Sequence, residues 1–343
     1  MLFTRRDAGK IALATVPALR AFGAVNSRFG GVRIGVITYS FRGMNNLDDI
    51  IKTMVQIGLG ECELMSNSAE AAAGAPSLGG PPGSPAGRPR PGGPGGLAAA
   101  PGGQAPAAGQ GRPPGTRTQM TPEQQAAMRA RQEELRKWRM SVSMDKFKEV
   151  RRKFQAAGIH LGLLCYNMQD RMTDDEIEFA FRMAKALGVK GITTSTTVSM
   201  SKRIAPLAGK HKMLVGYHGH DQTSDPNQFA TLESYATAFT YSKYNGVNLD
   251  VGHFTASNYD AVAFIKEHHA RITNLHLKDR KKDHGPNTPW GQGDTPLKDV
   301  LLLLKKQKYP FPANIELEYP VPQGSDVPTE VAKCLKYCKD ILA

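Results

Sequence analysis

The chain has 343 residues, 44 Lys and Arg against 31 Asp and Glu, and a formal net charge of +13. Basic residues gathered on one folded face would point to a nucleic-acid partner, but residues 1–23 carry a net +3 and residues 71–140 a net +6, leaving only +4 elsewhere. The charge therefore argues against a DNA-binding core, and four cysteines are too few for a disulfide scaffold.

At the N-terminus, Arg5-Arg6 precedes an apolar run from Ile11 to Leu19 and small residues at Ala21 and Gly23. That run is too short for a bilayer core, which needs ~20 residues. Residues 1–23 are expected to be a cleaved signal rather than a stable membrane anchor. Thr4-Arg5-Arg6 with Lys10 resembles a twin-arginine signal, with Ala8-Gly9 standing where its usual Phe-Leu pair would be. Such a signal implies export of an already folded protein, to the periplasm.

Residues 24–343 read as one domain with an interruption. Between 71 and 120 the sequence is almost all Gly, Pro, Ala, Gln and Arg (PPGSPAGRPRPGGPGG is typical). Such a tract buries too little apolar surface to offset its conformational entropy. Residues 121–140 then read as a polar helix. Without the leader and these two segments about 250 residues remain, the size of a (β/α)8 barrel.

The elements agree with that size. Short apolar runs that suit buried parallel strands fall at Arg33–Ser40, Glu61–Met65, Ile159–Tyr166, Gly191–Ser195, Met213–His218, Gly246–Val251, Ile272–Leu277 and Ala313–Glu318. Helical periods separate most of them. Asn46 and Gly58 bound the first, Met144–Gly158 repeats apolar residues, and Thr173-Asp-Asp-Glu176 is a capping box for a helix closing at Gly188. Asp294 with Pro296 predicts a further helix start, and Thr329–Leu342 is amphipathic. This alternation predicts a TIM barrel with the insertion after its second strand. No GxGxxG follows the first strand, as a doubly wound dinucleotide fold would require.

Barrel enzymes place their chemistry at the C-terminal strand ends. Strand five ends in His218-Gly-His220, strand six in Asp250-Val-Gly-His253, strand seven in His276-Leu-Lys278-Asp279 and strand eight in Glu316-Leu-Glu318. Alternation puts His218 with His220, His276 with Lys278, and Glu316 with Glu318 on common faces. Taken singly, Asp250 could be a helix cap and any of the histidines a core or surface residue. Four consecutive strands ending this way instead point to a divalent metal, because buried charges gather where they are paired or bind a cation. Mixed imidazole and carboxylate ligands favour Mn²⁺, with Fe²⁺, Co²⁺, Zn²⁺ and Mg²⁺ as the other candidates.

ITYSFR, GECEL, GYHGH, NLDVGH, NLHLKD and IELEY, taken together, resemble the xylose isomerase-like TIM-barrel superfamily, which includes sugar phosphate isomerases and epimerases. The resemblance implies metal ligands at Asp250, His276 and Glu316, with Glu318 the alternative to Glu316. It implies a substrate contact at His253 and pocket-lining roles for Glu63, Lys278, Asp279 and Trp290. Ketohexose epimerases carry a metal-binding, proton-moving Glu at the end of strand five; His218 stands there in this chain, with His220 two residues on. The implied chemistry is proton abstraction next to the carbonyl of a keto-sugar, through an enediolate, with Glu316, His218 and His253 as catalytic candidates and His220 and Lys278 as substrate contacts. A dehydratase or lyase, a hydrolase using the same metal, and a non-catalytic sugar-binding barrel stay open. An endonuclease IV-like nuclease would need more His and Glu ligands and a basic DNA face. The expected partner is a small sugar, not nucleic acid, and a homo-oligomer is compatible with the sequence.

Overall fold

The computed structural model describes residues 24–77 and 121–343. The expected leader and residues 78–120 of the insert lie outside the described residues. Eight parallel strands close on themselves: β1 (Val32–Ile37), β2 (Glu61–Met65), β3 (His160–Cys165), β4 (Gly191–Thr194), β5 (Leu214–His218), β6 (Asn245–Asp250), β7 (Ile272–Leu277) and β8 (Ala313–Ile315). Each pairs with the next, and Ala313–Ile315 of β8 pairs with Ile34–Val36 of β1 to shut the ring. The chain is therefore a TIM barrel, as its alternating pattern predicts.

The helices form where the local signals place them, with one exception. In α1 (Leu47–Ile57) Asn46 Oδ1 accepts from Asp48 N at 2.8 Å, and Gly58 ends the helix at φ 91°. In the helix Asp174–Leu187 the Thr173–Glu176 capping box is formed. The exception is the helix Leu297–Gln307, which has no side-chain cap. Asp294, the expected cap, instead accepts from Lys282 N at 3.0 Å and Lys281 Nζ at 3.2 Å, and Pro296 takes the cap position. Among the described residues no helix is long and apolar enough to cross a membrane.

The apolar core lies between the barrel and its helices, where residues such as Phe147, Phe154, Phe179, Phe181, Leu301 and Leu304 are buried. Inside the barrel the packing is polar. Glu63 on β2 reaches Thr193 on β4, Asn274 on β7 and Asn314 on β8. Only a side chain inside the ring can meet three strands that are not all its neighbours.

The insert begins later than the composition suggests. Ala71 and Ala72 close α2 (Ser66–Ala72) and Ala73 is buried. On its far side α3 (Pro122–Ser141) is the expected polar helix, yet it is tied down at one point. Arg139 donates to both oxygens of Glu70 at 2.7 and 3.0 Å and to Glu176 at 3.2 Å, all three side chains being buried. Trp138 beside it packs edge-on against Phe147 and Phe179. The two helices that flank the insert are thus clamped together by charge, while the aromatic contacts hold α3 to the helices that follow it.

Candidate metal centre

Strand ends from the second half of the barrel converge on one point. His218 closes β5, Asp250 closes β6, His276 is next to last on β7, and Glu316 follows β8 directly, its N–H donating to Leu277 O at 3.0 Å. Each offers a ligand atom, and all four atoms lie within 4.8 Å of one another. All four residues are buried. Of the expected alternatives, Glu316 rather than Glu318 and His218 rather than His220 belong to this cluster.

Two glycines in the motifs explain how the side chains get there. A Cβ on Gly219 would sit 2.1 Å from the Tyr235 hydroxyl, so the turn between His218 and His220 has no room for a side chain. A Cβ on Gly252 would sit 2.3 Å from Lys278 Cγ, so the lysine can cross the start of the short helix Val251–Ala256 only because that position is bare. Asp250 divides its two oxygens. Oδ1 accepts from His253 N at 2.8 Å and caps that short helix, while Oδ2 faces the cluster. The carboxylate is a helix cap and a candidate ligand at once.

Beneath the cluster is a layer of amides. Asn248, Asn274 and Asn314 each stand two residues before a clustered residue, in Asn-Leu-Asp250, Asn-Leu-His276 and Asn-Ile-Glu316. Asn274 Nδ2 and Asn314 Nδ2 donate to Glu63 Oε2 at 2.9 and 2.8 Å, and the same oxygen meets His276 Nε2 at 2.8 Å. Glu63, expected in the substrate pocket, is instead fully buried below His276. With Nε2 committed to Glu63, His276 turns Nδ1 toward the cluster, 3.0 Å from Glu316 Oε2.

Lys278 supplies positive charge at the gap. Its Nζ lies 2.9 Å from Asp250 Oδ2, 2.8 Å from Glu316 Oε2 and 2.5 Å from Glu318 Oε2. Burial works against that charge, but the Asp250, Glu316 and Glu318 carboxylates outweigh it and hold the ammonium well above its ordinary range. Burial likewise opposes the charge on Glu316, yet Lys278 and His276 together hold it well below a usual carboxylate. Asp250 has Lys278 but no imidazole at hydrogen-bonding distance, and burial pushes it up. His218 is pushed well down by burial, then by the imidazoles of His276 and His220 beside it.

These residues fit a divalent cation. His218 Nδ1, Asp250 Oδ2, His276 Nδ1 and Glu316 Oε2 are buried without a properly oriented hydrogen bond, even though Lys278 Nζ lies within ion-pairing distance of the two carboxylates. Two imidazoles and two carboxylates around one gap are a donor set that transition ions take. Glu63 would fix the tautomer of His276 from behind, and such partners typically set metal affinity by about 10–100-fold. Glu63→Gln is therefore expected to weaken cation binding by about that factor in a chelator competition. Unchanged affinity would show that Glu63 is only part of the packing.

The other expected site residues divide. His220 sits beside the cluster, its ring 4.8 Å from His218 and 5.3 Å from His253. Burial, then His253 and Lys278, push it down to about 3, so it is neutral. His253 lies 4.0 Å from Glu318 through Nε2. Asp279 is placed elsewhere: its carboxylate accepts from Gly291 N, Gly293 N and Thr295 N at 2.8, 2.9 and 3.2 Å. Trp290 packs edge-on against Tyr337 of the final helix, Val327–Leu342, and no hydrogen bond or ring contact joins it to the cluster.

Two residues were missed. Arg280 Nη1 lies 2.6 Å from His253 Nδ1, and its Nη2 pairs with Asp221 at 2.9 Å. Asp221 also lies 3.5 Å from His253 Nδ1, but the shorter contact decides the tautomer. A guanidinium has no acceptor, so Nδ1 holds the lone pair and His253 carries its proton on Nε2. Both residues extend motifs already noted, His218-Gly-His220-Asp221 and Lys278-Asp279-Arg280, where spacing alone reads them as loop charges.

A family model described as xylose isomerase-like TIM barrel matches residues 125–340. Among solved structures, the chain resembles an IolI protein with a binding zinc atom (15% identity, TM-score 0.56, 91% of this chain and 98% of that one). It also resembles the probable 3-DHS dehydratase AsbF of Bacillus anthracis (12% identity, TM-score 0.56, 89% of this chain and 98% of that one). A sugar phosphate isomerase/epimerase of Parabacteroides distasonis matches at 14% identity and TM-score 0.54, over 94% of this chain and 99% of that one. No curated protein matches the sequence. At such identities the structures speak for the fold, and the family model covers well over half of the chain. The chain belongs to the xylose isomerase-like TIM barrel family.

Proposed function

We propose that the protein is a metal-dependent isomerase or epimerase that acts on a keto-sugar by removing a proton next to its carbonyl. The observation that supports this most is the buried His218–Asp250–His276–Glu316 set within 4.8 Å, ringed by groups that can hold or move protons. Mn²⁺ is the favoured ion because both nitrogen and oxygen donors are present. When bound, the cation would supply the positive charge that polarises a carbonyl.

The chain's own groups do the rest. His220 is an imidazole outside the four-residue set, and among the described residues its ring makes no hydrogen bond, so it is free to take a proton from carbon. Glu316 is the other candidate acceptor. His253, with its proton held on Nε2 by Arg280, can donate to a substrate oxygen. Lys278 can do the same from the β7 side. The leader and the modest charge of the remaining chain support export to the periplasm and a small-molecule partner rather than nucleic acid.

One observation favours a second reading, a dehydratase or lyase on a sugar derivative. The end of β5 carries imidazoles where a second proton-moving carboxylate would stand, so return of the proton to the opposite face has no carboxylate to perform it. The test is NMR in D₂O of the protein with its metal, against a panel of keto-sugars. Deuterium at the carbon next to the carbonyl of an intact sugar is expected for isomerisation or epimerisation. Loss of a β-substituent would establish the lyase, and no exchange or elimination on any sugar would sink both.

A further inference from the structure

Beside the cluster, on the β3–β5 side of the mouth, lies a cavity of about 430 Å³. None of the four clustered residues lines it, and His220 alone joins it to them. Its walls carry neutral hydrogen-bonding groups, among them Asn167, Ser195, Thr196 and Gln228, and its one carboxylate and one guanidinium, Asp170 and Arg171, cancel. There is no surplus positive charge to hold a phosphate.

The walls are already fixed. Asn167 Oδ1 accepts from Ser195 N at 2.8 Å, Val198 N donates to Asn227 O at 2.9 Å, and His220 N donates to Phe229 O at 2.8 Å. Two donors remain unspent there. Among the described residues, Thr196 Oγ1 is buried without a partner and the amide nitrogen of Asn167 has no hydrogen-bond acceptor. An unpaired buried hydroxyl is costly to leave unsatisfied, and a ligand hydroxyl would relieve that cost. The volume falls within the range of small-molecule sites, about 300–1,000 Å³, yet the space lies to one side of the position where a carbonyl would react.

We infer that this cavity is a second sugar subsite, and that the substrate is a keto-sugar bearing a neutral glycosyl unit. The inference rests on the proposed function: the keto-sugar sits over the cluster and its glycosyl substituent passes His220 into the pocket. Neutral amides and hydroxyls recognise the sugar hydroxyls, and the preformed walls limit the ordering that binding must overcome.

The test is calorimetric titration of the metal-containing protein with fructose and with three keto-disaccharides built on fructose: lactulose, maltulose and isomaltulose. At least one disaccharide is expected to bind about tenfold or more tighter than fructose. Thr196→Val and Gln228→Ala are each expected to remove most of that advantage while leaving fructose binding unchanged. Disaccharides that bind no tighter than fructose would overturn the subsite and leave the proposed function standing, as would variants that weaken both kinds of sugar equally. If neither fructose nor any disaccharide binds, the subsite and the proposed function fall together.

Discussion

Asp250→Asn is expected to lose the bound cation while keeping the fold. The substitution removes one of the two carboxylates in the cluster but leaves a side-chain oxygen for His253 N, and Asn caps helices as well as Asp does. Asp250→Ala removes both, so it should lose the cation and also cost about 1 kcal/mol for the lost cap. His276→Ala is expected to lose the ion for the same reason, with Glu63 left buried and short of one of its partners. Elemental analysis of the purified variants gives the metal content, and thermal melting gives the cap. Full occupancy in the Asp250 and His276 variants would mean that the cation is held somewhere else.

Arg139→Ala is expected to destabilise the barrel by about 3–5 kcal/mol, the usual consequence of stranding a buried charge. Glu70 would lose both of its hydrogen bonds, and burial already pushes its carboxyl up against the effect of Arg139. Glu176 would keep Arg136 at 3.2 Å. Arg139→Leu combined with Glu70→Leu should recover most of the loss, since apolar replacement of a whole buried pair is often neutral. Denaturant unfolding measures both, and a loss under about 1 kcal/mol for Arg139→Ala would show that the clamp is solvated. The same clamp makes the insert dispensable. Replacing residues 78–120 with a short flexible linker should shift the melting temperature by less than about 4 °C, because α2 and α3 are held by contacts outside it.

Much of this site was legible in the chain because its strands repeat one rule. Period-two alternation put His276 with Lys278 and Glu316 with Glu318 on common faces, and the Asn two residues before Asp250, His276 and Glu316 marks the same face one step down. The amide pattern in Asn-Leu-Asp, Asn-Leu-His and Asn-Ile-Glu was visible but had no meaning until Glu63 was found among two of the three amides. The resemblance implied the same role for Glu63 and Asp279, lining the substrate pocket. One proved to brace His276 from below and the other to tie down the backbone of the loop at 291–295.

The sequence by itself determined the barrel, since eight apolar runs alternating with capped helical periods leave a parallel sheet few other ways to bury both faces. It also determined which residue types stand at the strand ends. Only the tertiary structure decided that His218 and Glu316, rather than His220 and Glu318, complete the cluster. It also decided that Lys278 is shared by three carboxylates, and that Arg280 sets the tautomer of His253. Alternation tells which way a side chain points. How far along the barrel axis it sits, and what meets it from across the ring, follow from the stagger with which the eight strands close.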